Sequence, residues 1–115
     1  MSNIKTGFKV CNIMLGHRFR SALNFGKTVD YDINVWTYQP EGCGPLAVFE
    51  RLCDVEDFIA YNHVLHGTTE VFLCEYEKSK EKTLYDDKGN VFEHGLPPNT
   101  IFAIRVKLIK ELRRL

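Results

Sequence analysis

The chain has 115 residues, of which 44% are hydrophobic and 26% charged, and its 15 lysine and arginine residues balance its 15 aspartate and glutamate residues. This length fits one domain that buries its own core, and the composition excludes an intrinsically disordered chain. The zero net charge removes a general attraction to nucleic acid or to an anionic membrane surface.

The cysteines and the N-terminal residues are the sequence features that indicate the cellular compartment. The 4 cysteines are irregularly spaced and form no C-x-x-C pair. The first seven residues include no apolar run of the kind a signal peptide requires, and no stretch of the sequence is long and apolar enough to cross a bilayer. We therefore expect reduced thiols, a cytoplasmic location and no membrane contact.

The first half of the sequence predicts a series of short strands. Alternation of side chains predicts a strand over residues 7–13, with residues 17–23 as its hairpin partner. β-Branched and aromatic residues predict further strands at 28–31, 35–38 and 46–49. Two prolines and two glycines within residues 39–45 predict a rigid corner that faces solvent.

The second half begins with the one predicted helix, over residues 54–66. Asp54 is its predicted N-cap, Asp57 lies at the N3 position, and Gly67 is placed to end it. Residues 70–76 carry apolar side chains on both faces, which predicts a central strand. A turn at residues 86–90 is expected to join short strands at 83–85 and 91–93.

The last segment fits either a helix or a strand, and its β-branched residues favour a strand over residues 103–111. With this strand, the elements predict an α+β fold. We expect a single domain over residues 1–115, with a small mixed or antiparallel sheet and one main helix.

Aromatic residues before the predicted corner are the main candidates for a contact surface. Tyr31, Trp36 and Tyr38 all precede the two glycines of that corner. Tyrosine and tryptophan dominate the binding energy of protein interfaces, although they also pack in cores. We predict that Trp36, Tyr38, Glu41 and Cys43 contact a partner protein.

Two further groups of residues leave chemical alternatives open. Gly42 and Gly44, on either side of Cys43, would let a ligand approach the backbone. Glu75 and Glu77 point to one face at the end of a strand. Such a carboxylate pair suits acid–base chemistry or a ribose hydroxyl, and it equally suits a strand that emerges into solvent.

Two histidines carry a weaker metal hypothesis. His63 and His66 lie three residues apart on the predicted helix, where Cys53 or Glu70 would be a third ligand. Because the sequence lacks an H-E-x-x-H motif, capping or surface histidines near a helix C-terminus are the simpler interpretation. We expect no metal and no cofactor.

Four segments together carry a family resemblance over residues 7–112. They are Gly-Phe-Lys-Val at 7–10, Gly-Cys-Gly-Pro-Leu-Ala-Val-Phe at 42–49, Cys-Glu-Tyr-Glu at 74–77 and Leu-Pro-Pro-Asn-Thr at 96–100, with a Gly-Lys turn at 26–27 and Tyr31 between the first two. In this order they resemble a family of short bacterial and phage proteins without an assigned activity. The resemblance implies a source and a compartment and leaves the mechanism open.

Glu75 and Glu77, each near a strand end, also carry a weaker likeness to the ADP-ribosyltransferase fold. Enzymes of that fold have a glutamate at such a place, an early arginine or histidine, and a mid-chain serine or tyrosine. The candidates for these other roles are Arg18, Arg20, Ser21 and Tyr31. This likeness implies an NAD-dependent or nucleotide-binding alternative, for which Tyr31, Gly42, Gly44, Glu75 and Glu77 are the ligand-binding candidates.

The sequence therefore favours a small non-enzymatic binding module, of the kind a phage uses to inhibit or modulate a host defence protein. Its size, its lack of a convincing catalytic set and the first resemblance all support this interpretation. The alternative is an ADP-ribosyltransferase-like or nucleotide-binding domain that uses residues 42–45 with Glu75 and Glu77. We expect a protein partner rather than nucleic acid, and the oligomeric state stays open.

Overall fold

The computed structural model describes residues 3–14, 18–21, 29–40, 45–62, 69–80, 84–85, 91–92 and 99–114. Within these residues lie nine strands and one helix. In chain order they are β1 (Ile4–Met14), β2 (Arg18–Ser21), β3 (Asp30–Tyr31), β4 (Trp36–Tyr38), β5 (Leu46–Phe49), α1 (Leu52–Asn62), β6 (Thr69–Lys78), β7 (Leu84–Tyr85), β8 (Val91–Phe92) and β9 (Thr100–Arg114).

Four strands close into a small barrel. β6 pairs antiparallel with β1 on one side and with β9 on the other, and β5 pairs with β9. The circuit closes where β5 also meets β1, at the pair Phe8 and Phe49. We call β1, β6, β9 and β5 the barrel; β2 and β3 extend the sheet from β1, and β4 extends it from β9.

The larger core lies inside the barrel, because every barrel strand contributes inward side chains to it. Its buried residues are Cys11, Tyr31, Leu46, Val48, Phe72, Cys74, Tyr76, Ala103, Val106 and Leu108. Lys9 lies among them with only 1% of its surface exposed. Its Nζ donates a hydrogen bond of 2.5 Å to the Ala47 carbonyl and lies 5.2 Å from the centre of the Tyr31 ring.

A second core lies on the outer face of the barrel, beneath α1. Val55 and Phe58 of the helix pack with Val10, Phe49 and Val71 of the strands, so their apolar side chains are removed from water. Outside this core, an ion pair between Glu56 of α1 and Arg113 of β9 at 2.6 Å joins the helix to the sheet.

Most of the predicted strands are confirmed. β1 is longer than the predicted 7–13, and β2 is its antiparallel hairpin partner. β6 has a strand on each side, as its two apolar faces predicted. The final segment is a strand, and β7 and β8 pair as expected. The fold is α+β in the predicted sense, with a larger share of antiparallel sheet than that term suggests.

The predicted start of the helix is wrong by two residues. α1 begins at Leu52, so Asp54 lies in the first turn and is not the N-cap. The Asp54 carboxylate is buried and accepts hydrogen bonds from Arg51 and from Asn99 Nδ2. Residues 63–67, which include the predicted last turn, lie outside the described residues. Of the helices described, none is long and apolar enough to span a membrane.

Candidate functional site

The register of three neighbouring strands aligns six aromatic and charged side chains in two rows. Lys107 of β9 lies opposite Glu75 of β6 on one side and Trp36 of β4 on the other. Arg105 likewise lies between Glu77 and Tyr38. We call Trp36, Tyr38, Glu75, Glu77, Arg105 and Lys107 the outer-face cluster.

Alternation along β6 places this cluster on the outside of the barrel. Val71 packs beneath α1, and Glu75 and Glu77 follow it at even spacing on the same strand face. Phe72, Cys74 and Tyr76 point inward from the intervening positions. The helix therefore covers one part of the outer face, and the cluster occupies another part of it.

Arg105 is the centre of the cluster. Its Nε donates to Glu77 Oε1 at 3.0 Å, and its Nη1 lies 3.4 Å from Tyr38 Oη. Its guanidinium carbon lies 4.2 Å from the centre of the Trp36 ring, within the range of a cation–π contact. The hydrogen bond to Tyr38, and then that to Glu77, raise the pKa of Arg105 above its ordinary value. The group stays charged at every physiological pH.

Lys107, two residues further along β9, likewise contacts a glutamate and an aromatic ring. Its Nζ lies 3.2 Å from Glu75 Oε1 and 5.0 Å from the centre of the Trp36 ring. Trp36 thus has two cations on its ring, and each cation is held by a carboxylate. Ion pairs as exposed as these each stabilise a fold weakly, so the arrangement depends on the ion pairs and the cation–π contacts together.

The cluster offers an amphipathic surface. Tyr38 is 57% exposed, whereas Trp36 is half-buried. Tryptophan, tyrosine and arginine are the three residue types most enriched at binding hot spots. Because the cations and carboxylates are balanced, the surface presents aromatic area with little net charge.

The structure joins two groups of residues that the sequence left apart. Trp36 and Tyr38 were predicted to contact a partner, and Glu75 and Glu77 to hold a ligand; all four lie in the outer-face cluster. The sequence reasoning missed Arg105 and Lys107, which connect them. The sequence did contain a signal for them. The two glutamates of β6 and the two cations of β9 have the same spacing of two residues, as expected of side chains of opposite charge that face each other across a sheet.

Tyr31 does not belong to this surface, which corrects its grouping with Trp36 and Tyr38. It is buried inside the barrel, 2% exposed, and burial raises its pKa well above the usual value. Asp30, the residue before it, forms an ion pair with Arg20 at 2.9 Å.

The predicted corner is described only at its two ends. Gln39 and Pro40 are half-buried and Pro45 is buried. The positions Glu41, Gly42, Cys43 and Gly44 lie outside the described residues, so their roles stay predictions. His63 and His66 lie outside them as well. In the part of the chain that is described, no three His, Cys, Asp or Glu side chains are grouped as metal ligands.

Three of the cysteines, Cys11, Cys53 and Cys74, lie in the described part of the chain as free thiols. Burial raises the pKa of Cys11 and of Cys74 to about 12, against an opposing effect of Lys9. Neutral buried thiols are poor nucleophiles. Cys53 is exposed at the start of α1.

Comparison of the chain with protein-family models, with curated proteins and with solved structures finds no match.

Proposed function

We propose that this chain is a non-enzymatic binding module, and that the outer-face cluster is its contact surface for a partner protein. The observation that carries the proposal is the set of contacts that Arg105 makes, with Glu77 on one side and with the rings of Trp36 and Tyr38 on the other. Side chains that are ordered before binding lose less conformational entropy on contact, so a preorganised surface binds more tightly.

The resemblance to short bacterial and phage proteins supports a bacterial host protein as the partner, for example a defence nuclease that the chain inhibits or modulates. Glu41 and Cys43 are proposed to extend the contact surface, since they follow Tyr38 closely in the chain. The balanced charge of the cluster favours a protein surface of mixed character over nucleic acid, which requires excess positive charge.

The nucleotide-binding alternative relies on Glu75 and Glu77 as chemically available carboxylates. Each of them is engaged in an ion pair, with Lys107 and with Arg105 respectively. A carboxylate held by a strand neighbour is a poor general base until that pair opens. This geometry supports the binding module over an ADP-ribosyltransferase-like activity.

The test begins with capture of a partner from a bacterial lysate on the immobilised chain, followed by titration of the purified partner. Trp36→Ala with Tyr38→Ala, and Arg105→Ala separately, are expected to weaken binding by about 30-fold or more, the size of a hot-spot loss. Leu112→Ala, which truncates an exposed apolar side chain elsewhere on β9, is the matched control and should bind normally.

Circular dichroism and thermal unfolding confirm that each variant is folded. Normal binding by the aromatic double variant would remove the proposal. A thermal-shift series with nucleotides, including NAD, covers the alternative: a stabilisation that Glu75→Gln or Glu77→Gln abolishes would favour nucleotide binding instead.

A further inference from the structure

The strand that carries Trp36 and Tyr38 is an edge of the sheet. β4 pairs with β9 on one side, and none of the described strands pairs with its other side. The Gln39 N–H donates to the Ile104 carbonyl of β9 at 2.7 Å. In an antiparallel ladder the backbone groups alternate in direction, so those of Thr37 also point to β9. The N–H and C=O groups of Trp36 and Tyr38 therefore point outward, away from β9.

This edge lacks the features that usually prevent strands from pairing. Residues 33–38 include no charged residue and no proline, although lysine and proline are the common protective residues on edge strands. Val35 is 52% exposed and Ile33 is 38% exposed, beside the exposed Tyr38. The edge thus combines outward backbone donors and acceptors with exposed apolar side chains.

The geometry of β4 is self-complementary. Its two outward residues, Trp36 and Tyr38, lie on either side of Thr37. A twofold axis through Thr37 would place Trp36 opposite Tyr38 of a second copy, and Tyr38 opposite Trp36 of that copy. Each pair exchanges two backbone hydrogen bonds, so every outward group of both residues is satisfied in both copies.

Charge is compatible with this arrangement. Arg105 and Lys107, the cations nearest to β4, each have a glutamate partner within the same chain, and the whole chain has net charge +0. The cations nearest to β4 therefore do not oppose the approach of a second copy through like-charge repulsion. The axis also brings the Tyr38 ring of the second copy beside Trp36 on the outer face, where aromatic cross-strand pairs are favourable.

We propose that the chain pairs with a second copy of itself through β4, antiparallel to β4 of that copy, in a sheet that continues across both. The outer-face clusters of the two copies then lie side by side as one surface. This inference does not depend on the proposed partner protein, because pairing uses the backbone edge and leaves the outer face open.

Amide hydrogen exchange of the full chain tests the proposal, since neighbouring amides of β4 point in opposite directions. We expect the Trp36 and Tyr38 amides to exchange about tenfold more slowly, or slower still, at millimolar than at micromolar concentration. The Thr37 and Gln39 amides, which point to β9, are internal controls and should exchange equally at both concentrations. Sedimentation over the same range should show a monomer–dimer equilibrium.

Two variants separate the backbone from the side chain. Tyr38→Pro removes the outward N–H without removing a hydrogen bond to β9, so it should be monomeric. Tyr38→Ala removes the same side chain and keeps the N–H, so it should still form dimers.

Three results would overturn the proposal: a monomer over the whole range, a dimer whose Trp36 and Tyr38 amides exchange freely, or protection of these amides in the dilute monomer. If Tyr38→Pro does not fold, the exchange pattern of the unmodified chain alone decides between these outcomes.

Discussion

Gly7 lies in β1 at the place where the barrel closes, one residue before the pair formed by Phe8 and Phe49. A Cβ atom at this position would lie 2.6 Å from the Phe49 carbonyl oxygen and 2.8 Å from a ring carbon of Tyr76. The carbonyl belongs to the backbone of β5, so it cannot move without moving that strand. The absence of a side chain at Gly7 is therefore what lets β5 approach β1.

We predict that Gly7→Ala lowers the free energy of unfolding by about 1–3 kcal/mol, because the added methyl forces β5 away from β1. Urea unfolding followed by tryptophan fluorescence measures the change. Thr6→Ala is the matched control on the same strand, since Thr6 is exposed and its truncation should cost little. Equal unfolding midpoints for Gly7→Ala and Thr6→Ala would show that the close approach carries no strain.

At the scale of elements, one buried carboxylate, that of Asp54, joins α1 to the start of β9. Asp54 in the first turn of α1 accepts a hydrogen bond of 3.1 Å from Asn99, which immediately precedes β9. Asn99 has a positive φ of 64°, so the chain turns into β9 there. Arg51 holds the same carboxylate from the side exposed to solvent. The contact sets the start of the helix against the start of the strand.

Asp54→Ala should lower the free energy of unfolding by about 1 kcal/mol, because it removes the hydrogen bond between the Asp54 carboxylate and the Asn99 amide. Asp57→Ala, an exposed aspartate in the same helix, should change it by no more than about 0.5 kcal/mol.

Asn99→Gly removes the amide and tolerates the positive φ, so a double-mutant cycle with Asp54→Ala isolates the contact. We expect a coupling energy of about 1 kcal/mol, and purely additive effects would contradict it.

The elements themselves could be predicted from the sequence because they depend on local patterns. Alternation along β1 and β6 and the β-branched residues of β9 gave the correct structure. The start of α1 was predicted wrongly because Asp54 resembles a cap in sequence, whereas its carboxylate is used by Asn99, 45 residues away. No local rule contains that contact.

The candidate site was predictable in its parts and not in its assembly. Trp36, Tyr38, Glu75 and Glu77 were each singled out by residue type. Their proximity depends on β9 lying between β4 and β6, and strand order is a property of long-range pairing. For the same reason Tyr31, five residues from Trp36 in sequence, points into the barrel instead.

At the scale of the whole molecule, the barrel interior encloses ionisable groups that burial keeps neutral or makes costly to charge. Burial lowers the pKa of Lys9 from 10.5 to about 8, although Cys11 and Cys74 act in the opposite sense. Burial raises the pKa of both thiols from 9.0 to about 12. Each of these shifts changes the number of protons bound on folding, so the stability of the fold depends on pH.

The signs of these shifts predict a maximum of stability near pH 9. Above about pH 8 the folded chain has lost the Lys9 proton, while the unfolded chain keeps it up to about 10.5, so raising the pH favours folding. Above pH 9.0 the two thiols ionise only in the unfolded chain, so raising the pH then favours unfolding.

Between pH 7 and 9 we expect the free energy of unfolding of the natural chain to rise by about 1 kcal/mol relative to that of Lys9→Met, which has no ionisable group at this position. The reason is that the cost of a buried ammonium is relieved only when Lys9 can lose its proton. Urea unfolding at a series of pH values gives this difference. Lys5→Met, at an exposed position of β1, is the control, and its free energy of unfolding should change with pH as that of the natural chain does. If the free energy of unfolding of Lys9→Met also changes with pH as that of the natural chain does, Lys9 keeps its proton throughout this range. Its burial then does not set the pH dependence.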